Sequence, residues 1–436
     1  MSAPGVTVGV VGAGYVGLTS AVCLAAKGVD TVCIDTDRCR VAELRRGYAA
    51  IDEPDVDDLL RAGLEDGTLR VTDDYGMLAD REIVFVCVPT PTGVDGSADL
   101  CAVERAVARL ADTLSPGSAV AVKSTVPAGT CRRIGETLAA RGIHIVANPE
   151  FLREGFAVED FQHPDRVVIG VDAEQAAAGD RVAGLYDGQC GGTILRMSLE
   201  SAELAKYASN SFLAVKLSFV NSLAQLSSRV GADITDIARC MGADPRIGPH
   251  FLRPGPGWGG SCLPKDSAAL VCTGRAQGVE LREIASARRT NAAQIHRIVS
   301  LLKRQSGRPL PELKVAVLGL TFKAGTSDIR DSPAIEVCAE LLRVGAQVTA
   351  YDPRLAAITA ERLPTAVADD PYVAAKDADA IVVLTEWPDF AELDWRAVAR
   401  CAAGEAVVVD TRNIVDRRAV SDAGMACVGN GTPGGY

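Results

Sequence analysis

Short apolar runs separated by turn residues dominate the first part of the chain. Residues 6–11 (Val-Thr-Val-Gly-Val-Val) are β-branched and apolar with no polar face, the pattern of a strand buried on both sides of a sheet. They run into Gly12-Ala13-Gly14-Tyr15-Val16-Gly17, and the positions after that predict a helix over 18–27 ending at Gly28. A second strand is predicted over 30–34, with Asp35 at its carboxyl end. Further strands at 83–88 and 119–123 lead into Pro89-Thr90-Pro91-Thr92 and Ser124-Thr125-Val126-Pro127. From about residue 198 the period changes. Leu204, Tyr207, Leu213, Leu217, Val220 and Leu223 recur at helical spacing without an intervening Gly or Pro, which predicts one helix of about eight turns. Beyond a linker predicted at 304–311 the strand pattern restarts, at 314–318, 347–350, 380–384 and 406–409, with a helix at 332–344. The expected class is α/β: two Rossmann-like, doubly wound parallel-sheet domains joined by a long central helix and a helical middle domain. The expected boundaries are 1–197, 198–303 and 304–436.

Composition narrows the function classes. The 436 residues include 45 Lys and Arg against 56 Asp and Glu, a net charge of −11, the wrong overall sign for a nucleic-acid partner. The longest apolar stretches are strand-sized, well short of the ~20 residues that cross a bilayer. The start of the chain has neither a basic region nor a long apolar core, so no secretory leader is expected. Thirteen cysteines without CxxC spacing and only four histidines read as reduced thiols of a cytoplasmic protein, most of them small core residues, with no metal site.

Three segments carry candidate chemistry. In the first, strand, GxGxxG, helix, strand and acid occur in order. Gly12 suits the tight turn, Gly14 close approach of a pyrophosphate, Gly17 close helix packing, and Asp35 the ribose hydroxyls of NAD. Arg38 and Arg40 lie just beyond and temper the bias against a 2′-phosphate. In the second, residues 251–266 are so rich in Gly and Pro that a loop is expected throughout. This loop presents Cys262, followed by Lys265 and Asp266, which could favour the thiolate; a structural thiol and a catalytic one remain equally open. Lys206 and Asn210, four apart, share a face of the long helix. In the third, the 319–330 turn lacks GxGxxG but carries Lys323 and Arg330, and Arg412 follows a later strand. Such cations suit an anionic, nucleotide-like ligand.

With these motifs in order, joined by Asn148-Pro149-Glu150-Phe151-Leu152-Arg153-Glu154-Gly155 and Gly259-Gly260-Ser261-Cys262-Leu263-Pro264-Lys265-Asp266, the chain resembles the UDP-glucose/GDP-mannose dehydrogenase family from Val8 to about Asn413. The resemblance implies four-electron oxidation of a sugar C6 alcohol to a carboxylate with two NAD molecules. UDP-glucose is the leading substrate, with GDP-mannose or a UDP-N-acetylhexosamine as alternatives. It implies Cys262 as nucleophile, Asp266 and Glu150 in acid–base or water-orienting roles, Lys206 and Asn210 stabilising an oxyanion, and Thr125 and Glu154 near the nicotinamide. Gly12, Gly14, Tyr15, Val16, Gly17, Asp35, Arg40, Pro89, Thr90, Lys265 and Arg330 complete the implied cofactor set. Phe151, Leu152, Phe251, Arg253, Gly255, Gly257, Trp258, Gly259, Lys323 and Arg412 join Glu150, Lys206 and Asn210 at the nucleotide sugar. Arg246 matches a residue given by a neighbouring subunit, so at least a homodimer built on the long helix is implied. Trp258 stands where relatives often have Tyr or Phe. Other readings are a two-electron hydroxy-acid dehydrogenase, which needs no thiol, and a catalytically silent NAD-binding regulator.

Overall fold

A computed structural model describes residues 5–49, 51–187, 193–358 and 363–436. Cys190 and the first four residues, which enter the thiol count and the leader reading, lie outside them. The chain forms two compact units, residues 1–209 with 268–277, and residues 210–267 with 278–436.

The first unit is built on strands β1 (Thr7–Val11), β2 (Asp30–Ile34), β3 (Leu69–Thr72), β4 (Ile83–Val86), β5 (Ala119–Val122), β6 (His144–Ala147), β7 (Val167–Gly170) and β8 (Ile194–Met197). Their order is β3-β2-β1-β4-β5-β6-β7-β8. All pairings are parallel except β6 with β7, which meet antiparallel at Ala147 and Gly170. Every residue of β4 and β5 is buried, because helices cover both faces: Ile83 and Phe85 enter one apolar cluster, Val84 and Val86 the other. This is why these strands lack polar alternation.

The second unit repeats the plan. Strands β9 (Lys314–Leu318), β10 (Gln347–Tyr351), β11 (Ala366–Val367), β12 (Ala380–Val383), β13 (Val407–Asp410) and β14 (Ala426–Gly429) lie in the order β11-β10-β9-β12-β13-β14, all parallel. Renumbered from β9, this is the Rossmann order 3-2-1-4-5-6. The first turns match as well. The Gly12 N–H donates to Ile34 O at 2.7 Å and the Gly319 N–H to Tyr351 O at 2.8 Å, with φ of 98° and 97°. A side chain at either position would strike the following strand end, Cys87 O or Thr385.

The long helix spans Leu199–Val230. Three local expectations differ from the structure. The first helix begins at Tyr15 and ends at Ala26, because glycine-loop residues already join its first turn. The linker predicted at 304–311 starts inside the helix Arg282–Ser306, which ends at left-handed Gly307. The expected loop at 251–266 stops early, since Leu263–Ala276 is helical. Pro264 sits in that helix's first turn, where its missing N–H costs nothing. The thiols also differ from expectation: Cys23, Cys33, Cys87, Cys131 and Cys338 are buried, but Cys39, Cys101 and Cys240 are exposed and Cys262, Cys272, Cys401 and Cys427 intermediate. Among the described residues no helix is long and apolar enough to cross a membrane, and no group of three or more His, Cys, Asp or Glu has metal-holding geometry.

Candidate active site

In the first unit the glycine loop closes against Asp35. Its Oδ2 accepts from the Ala13 N–H at 2.9 Å and from Arg40 Nη1 at 3.0 Å, and its Oδ1 from the Asp37 N–H. A Cβ on Gly17 would fall 1.8 Å from Gly12 O, so the helix packs as close as a glycine allows, while a Cβ on Gly14 would meet nothing within 4 Å. The helix N-terminus at Gly14 has no side-chain cap. Open space before uncapped N–H groups, with a buried acid behind, fits a dinucleotide pyrophosphate and ribose. Val16 lies in this helix's first turn. Pro89 and Thr90 follow β4, with Thr90 buried.

Beyond the carboxyl ends of β5 and β6 lies a second group of the same unit. Glu150 Oε1 is 3.2 Å from Lys206 Nζ, and both side chains are almost fully buried. Burial alone would raise the Glu150 carboxyl; the Lys206 ammonium, the Leu152 N–H and the charge of Lys123 hold it below its ordinary value. The Leu152 N–H donates to Glu150 Oε2 at 2.6 Å. The Phe151 ring lies 5.0 Å from Lys206 Nζ and 3.8 Å from the Arg166 guanidinium. Thr125 and Lys206 line a small cavity with Ser124, Cys131 and Glu203, of a size for about one water.

In the second unit Cys262 immediately precedes the helix Leu263–Ala276, and its carbonyl accepts from the Asp266 N–H at 3.0 Å. Ser261 Oγ is 3.5 Å from the sulfur. Asp266, 1% exposed, accepts from Asn210 Nδ2 at 2.6 Å on Oδ2 and from Lys265 Nζ at 2.6 Å on Oδ1. Lys265 and Asp266, which the sequence offers as groups that could favour the thiolate, are also paired with each other. The sulfur thus lies beside a helix N-terminus, a position that suits an anion.

The loop before Cys262 is prebuilt. Asn221 Oδ1 accepts from the Gly255 N–H at 2.8 Å. Asn291 bridges both backbone groups of Trp258, accepting from its N–H at 2.8 Å and donating to its carbonyl at 2.9 Å. The Trp258 indole N–H donates to Ser218 Oγ at 2.9 Å. Arg288 Nη1 donates to Pro264 O and Ser267 Oγ, each at 2.7 Å. Gly257 is left-handed at φ 138°, and a Cβ on Gly259 would fall 1.9 Å from Asp331 O. Arg412 lies against Gly255 and reaches Leu384 O at 2.9 Å and Phe322 O at 3.2 Å, while Lys323 is half-buried beside Phe322.

The structure thus groups the candidates in each unit. Gly12 to Gly17, Asp35, Arg40, Thr125, Glu150, Phe151, Leu152, Glu154 and Lys206 belong to the first, and Asn210, Cys262, Asp266, the 251–259 loop, Lys323 and Arg412 to the second. Lys265 and Arg330, implied for the cofactor, also belong to the second, where Arg330 pairs with Asp328 at 2.7 Å. Arg246 and Arg253 are exposed, and Arg246 pairs with Asp244 at 2.6 Å. Phe251 is exposed and left-handed at φ 62°. Sequence reasoning missed Asn221, Asn291 and Arg288, whose role is set by what they touch far along the chain. It also missed Glu203, which accepts from the Gly129 and Cys131 N–H groups at 2.6 Å and so caps the helix Thr130–Ala139.

Two Rossmann-type sheets, one with an open dinucleotide cradle and one with cations at its strand ends beside a cysteine loop, define an NAD-dependent oxidoreductase acting on a nucleotide-bearing substrate. The comparisons narrow this. The UDP-glucose/GDP-mannose dehydrogenase family matches by its NAD binding domain at residues 6–188, its central domain at 200–293 and its UDP binding domain at 316–417. The chain belongs to that family, and NAD is its cofactor. It is 41% identical to a UDP-glucose 6-dehydrogenase of Rhizobium meliloti (strain 1021), over 97% of this chain and 99% of the relative. Its structure resembles a UDP-glucose dehydrogenase from Pyrobaculum islandicum (TM-score 0.88, 34% identity, 98% of each chain). It also resembles a UDP-D-ManNAc dehydrogenase from Pyrococcus horikoshii (TM-score 0.87, 28% identity, 98% of this chain and 100% of that one).

Proposed function

We propose that the chain oxidises UDP-glucose at C6 to UDP-glucuronate through a covalent intermediate on Cys262. NAD, when bound, accepts one hydride at each of the two oxidation stages. Carbon six first loses a hydride and its hydroxyl a proton, leaving an aldehyde. The Cys262 thiolate then adds to the carbonyl carbon, giving a thiohemiacetal whose C–H can leave as hydride. The resulting thioester is hydrolysed by water, which frees the sulfur and yields the acid. Lys206 and Asn210 hold the oxyanion at both tetrahedral stages. Asp266 and Glu150 exchange the protons and orient the water. The 251–259 loop, Lys323 and Arg412 hold the nucleotide. The observation that carries this reading is Cys262 at a helix N-terminus whose first turn presents Asp266, hydrogen-bonded to Asn210.

The uridine and glucose assignment is supported by relatives named UDP-glucose 6-dehydrogenase at 41% and 40% identity over nearly the whole chain. The chain acts as a homodimer through the long helix, with Arg246 offered to the neighbour. An exposed apolar stripe on that helix (Phe212, Phe219, Leu226 and Val230) supports this. A cytoplasmic location follows from the thiol chemistry, which needs a reducing compartment.

The test is a substrate panel of UDP-glucose, GDP-mannose, UDP-N-acetylglucosamine and UDP-N-acetylmannosamine. The expected kcat/KM is at least about tenfold higher for UDP-glucose, the discrimination of one well-placed contact. Higher turnover with any other member would overturn the sugar assignment.

A further inference from the structure

Glu53 stands outside every motif considered so far. It lies between the helices Arg38–Arg45 and Val56–Glu65, yet the residue is 8% exposed and its carboxylate makes contacts 102 and 104 residues away in sequence. Oε2 accepts from the Gly155 N–H at 2.7 Å and Oε1 from the Ala157 N–H at 2.6 Å. The Tyr15 hydroxyl donates to Oε2, and the same hydroxyl accepts from the Gly155 N–H at 3.0 Å. Burial and the Glu53 charge raise the Tyr15 phenol, so it stays a donor.

These contacts have one geometric result. The short helix Ala157–Gln162 has no side-chain cap of its own, and Glu53 supplies acceptors at its start. On the other side, Asp160 Oδ2 accepts from the Arg153 N–H at 2.7 Å. The amides flanking Glu154 are therefore pinned on both sides, and the same carboxylate that pins one of them holds the tyrosine of the glycine loop. Tyr15 opens the first turn of the helix that meets the pyrophosphate.

We infer that Glu53 is a positioning residue for the cofactor site: it latches Tyr15 of the glycine loop to the 153–157 turn and so sets NAD affinity. The latch acts through Tyr15 and the turn, without itself reaching the dinucleotide. The inference rests on the NAD assignment and deepens it; a place for Glu154 near the nicotinamide is a separate expectation, implied by the family resemblance.

The experiment is NADH fluorescence titration of the full chain carrying Glu53→Gln, Tyr15→Phe, both together, or Glu154→Gln, with UDP binding by calorimetry alongside. Gln keeps the volume of Glu53 but replaces an acceptor by a donor facing an N–H. Each of the first two variants is expected to weaken NADH about tenfold, as for loss of a hydrogen bond to a charged group. The double variant should be no weaker than the worse single one, because both break one latch. UDP affinity should stay within twofold. NADH affinities within twofold of the parent, or effects that multiply in the double variant, would overturn the inference. So would a drop in melting temperature with NADH affinity intact, the mark of a purely structural role. If Glu53→Gln does not fold, Tyr15→Phe decides by the same threshold. An unchanged Glu154→Gln removes Glu154 from the residues that the resemblance implies at the nicotinamide, while NADH binding by Glu53→Gln and Tyr15→Phe decides the latch.

Discussion

Lys206 and Glu150 are each costly to bury alone and tolerable only together. At 3.2 Å and nearly solvent-free, the pair leaves an uncompensated charge if either partner is removed, at about 3–5 kcal/mol. Lys206→Met should therefore destabilise the protein by about that amount in denaturant unfolding, as well as abolish turnover. The pH dependence gives the sign. In the parent the Glu150 carboxyl is held below its ordinary value, so its stabilisation is present above that value and lost as pH falls through the lowered one. In Lys206→Met, burial becomes the dominant influence and raises it. That group should then favour the fold at low pH and lose its contribution as pH rises through the raised value. Chemical denaturation across pH 4 to 8 reads this directly; unchanged stability and an unchanged profile would show that the pair is not coupled. At the thiol, Cys262→Ser puts a poorer nucleophile and leaving group beside the same Asp266. Acid formation should fall by roughly three orders of magnitude or more, with stalled ester or aldehyde detectable by mass spectrometry. Normal acid production from that variant would contradict the thioester route.

At the scale of elements, what could be read beforehand follows from how local each signal is. Strands β1, β2, β9 and β12 were legible because burial on both faces leaves a largely apolar run, and the glycine loop because tight turn, close approach and close packing each demand Gly at fixed offsets. The long helix was legible from its period. The end of the thiol loop was misread, since Pro264 signals loop when taken alone but is harmless in a first helical turn. Glu53, Asn221 and Asn291 gave no local signal at all, because their partners lie far along the chain and are brought close only by the fold. The second Rossmann turn was legible from the strand pattern that restarts there, although it lacks GxGxxG. Asp352, the counterpart of Asp35, is 1% exposed and its Oδ2 is taken up by the Leu320 and Thr321 N–H groups and the Trp387 indole. That acid braces its own turn, as Asp35 does through the Ala13 N–H. Gly259 belongs to this scale too. A methyl there would press on Asp331 O, so Gly259→Ala should weaken UDP binding at least about tenfold by forcing the loop off its supports. NADH binding should be unchanged. Equal loss of both ligands in calorimetry would instead indicate general misfolding.

For the whole molecule, the exposed side chains of the long helix matter most. Phe212, Phe219 and Leu226 recur every seven residues and are each half exposed or more, a stripe that a lone chain has no reason to present to water. Sedimentation of the parent should give a dimer or a multiple of it, and Phe219→Glu should shift it to the monomer; a monomeric parent would exclude a shared Arg246. In the proposed function one cysteine lets one sugar be oxidised twice. The most direct measurement is the number of NADH formed per UDP-glucose consumed to completion. Two equivalents, with UDP-glucuronate as the product, are predicted; a single equivalent with the aldehyde as the end point would contradict the account.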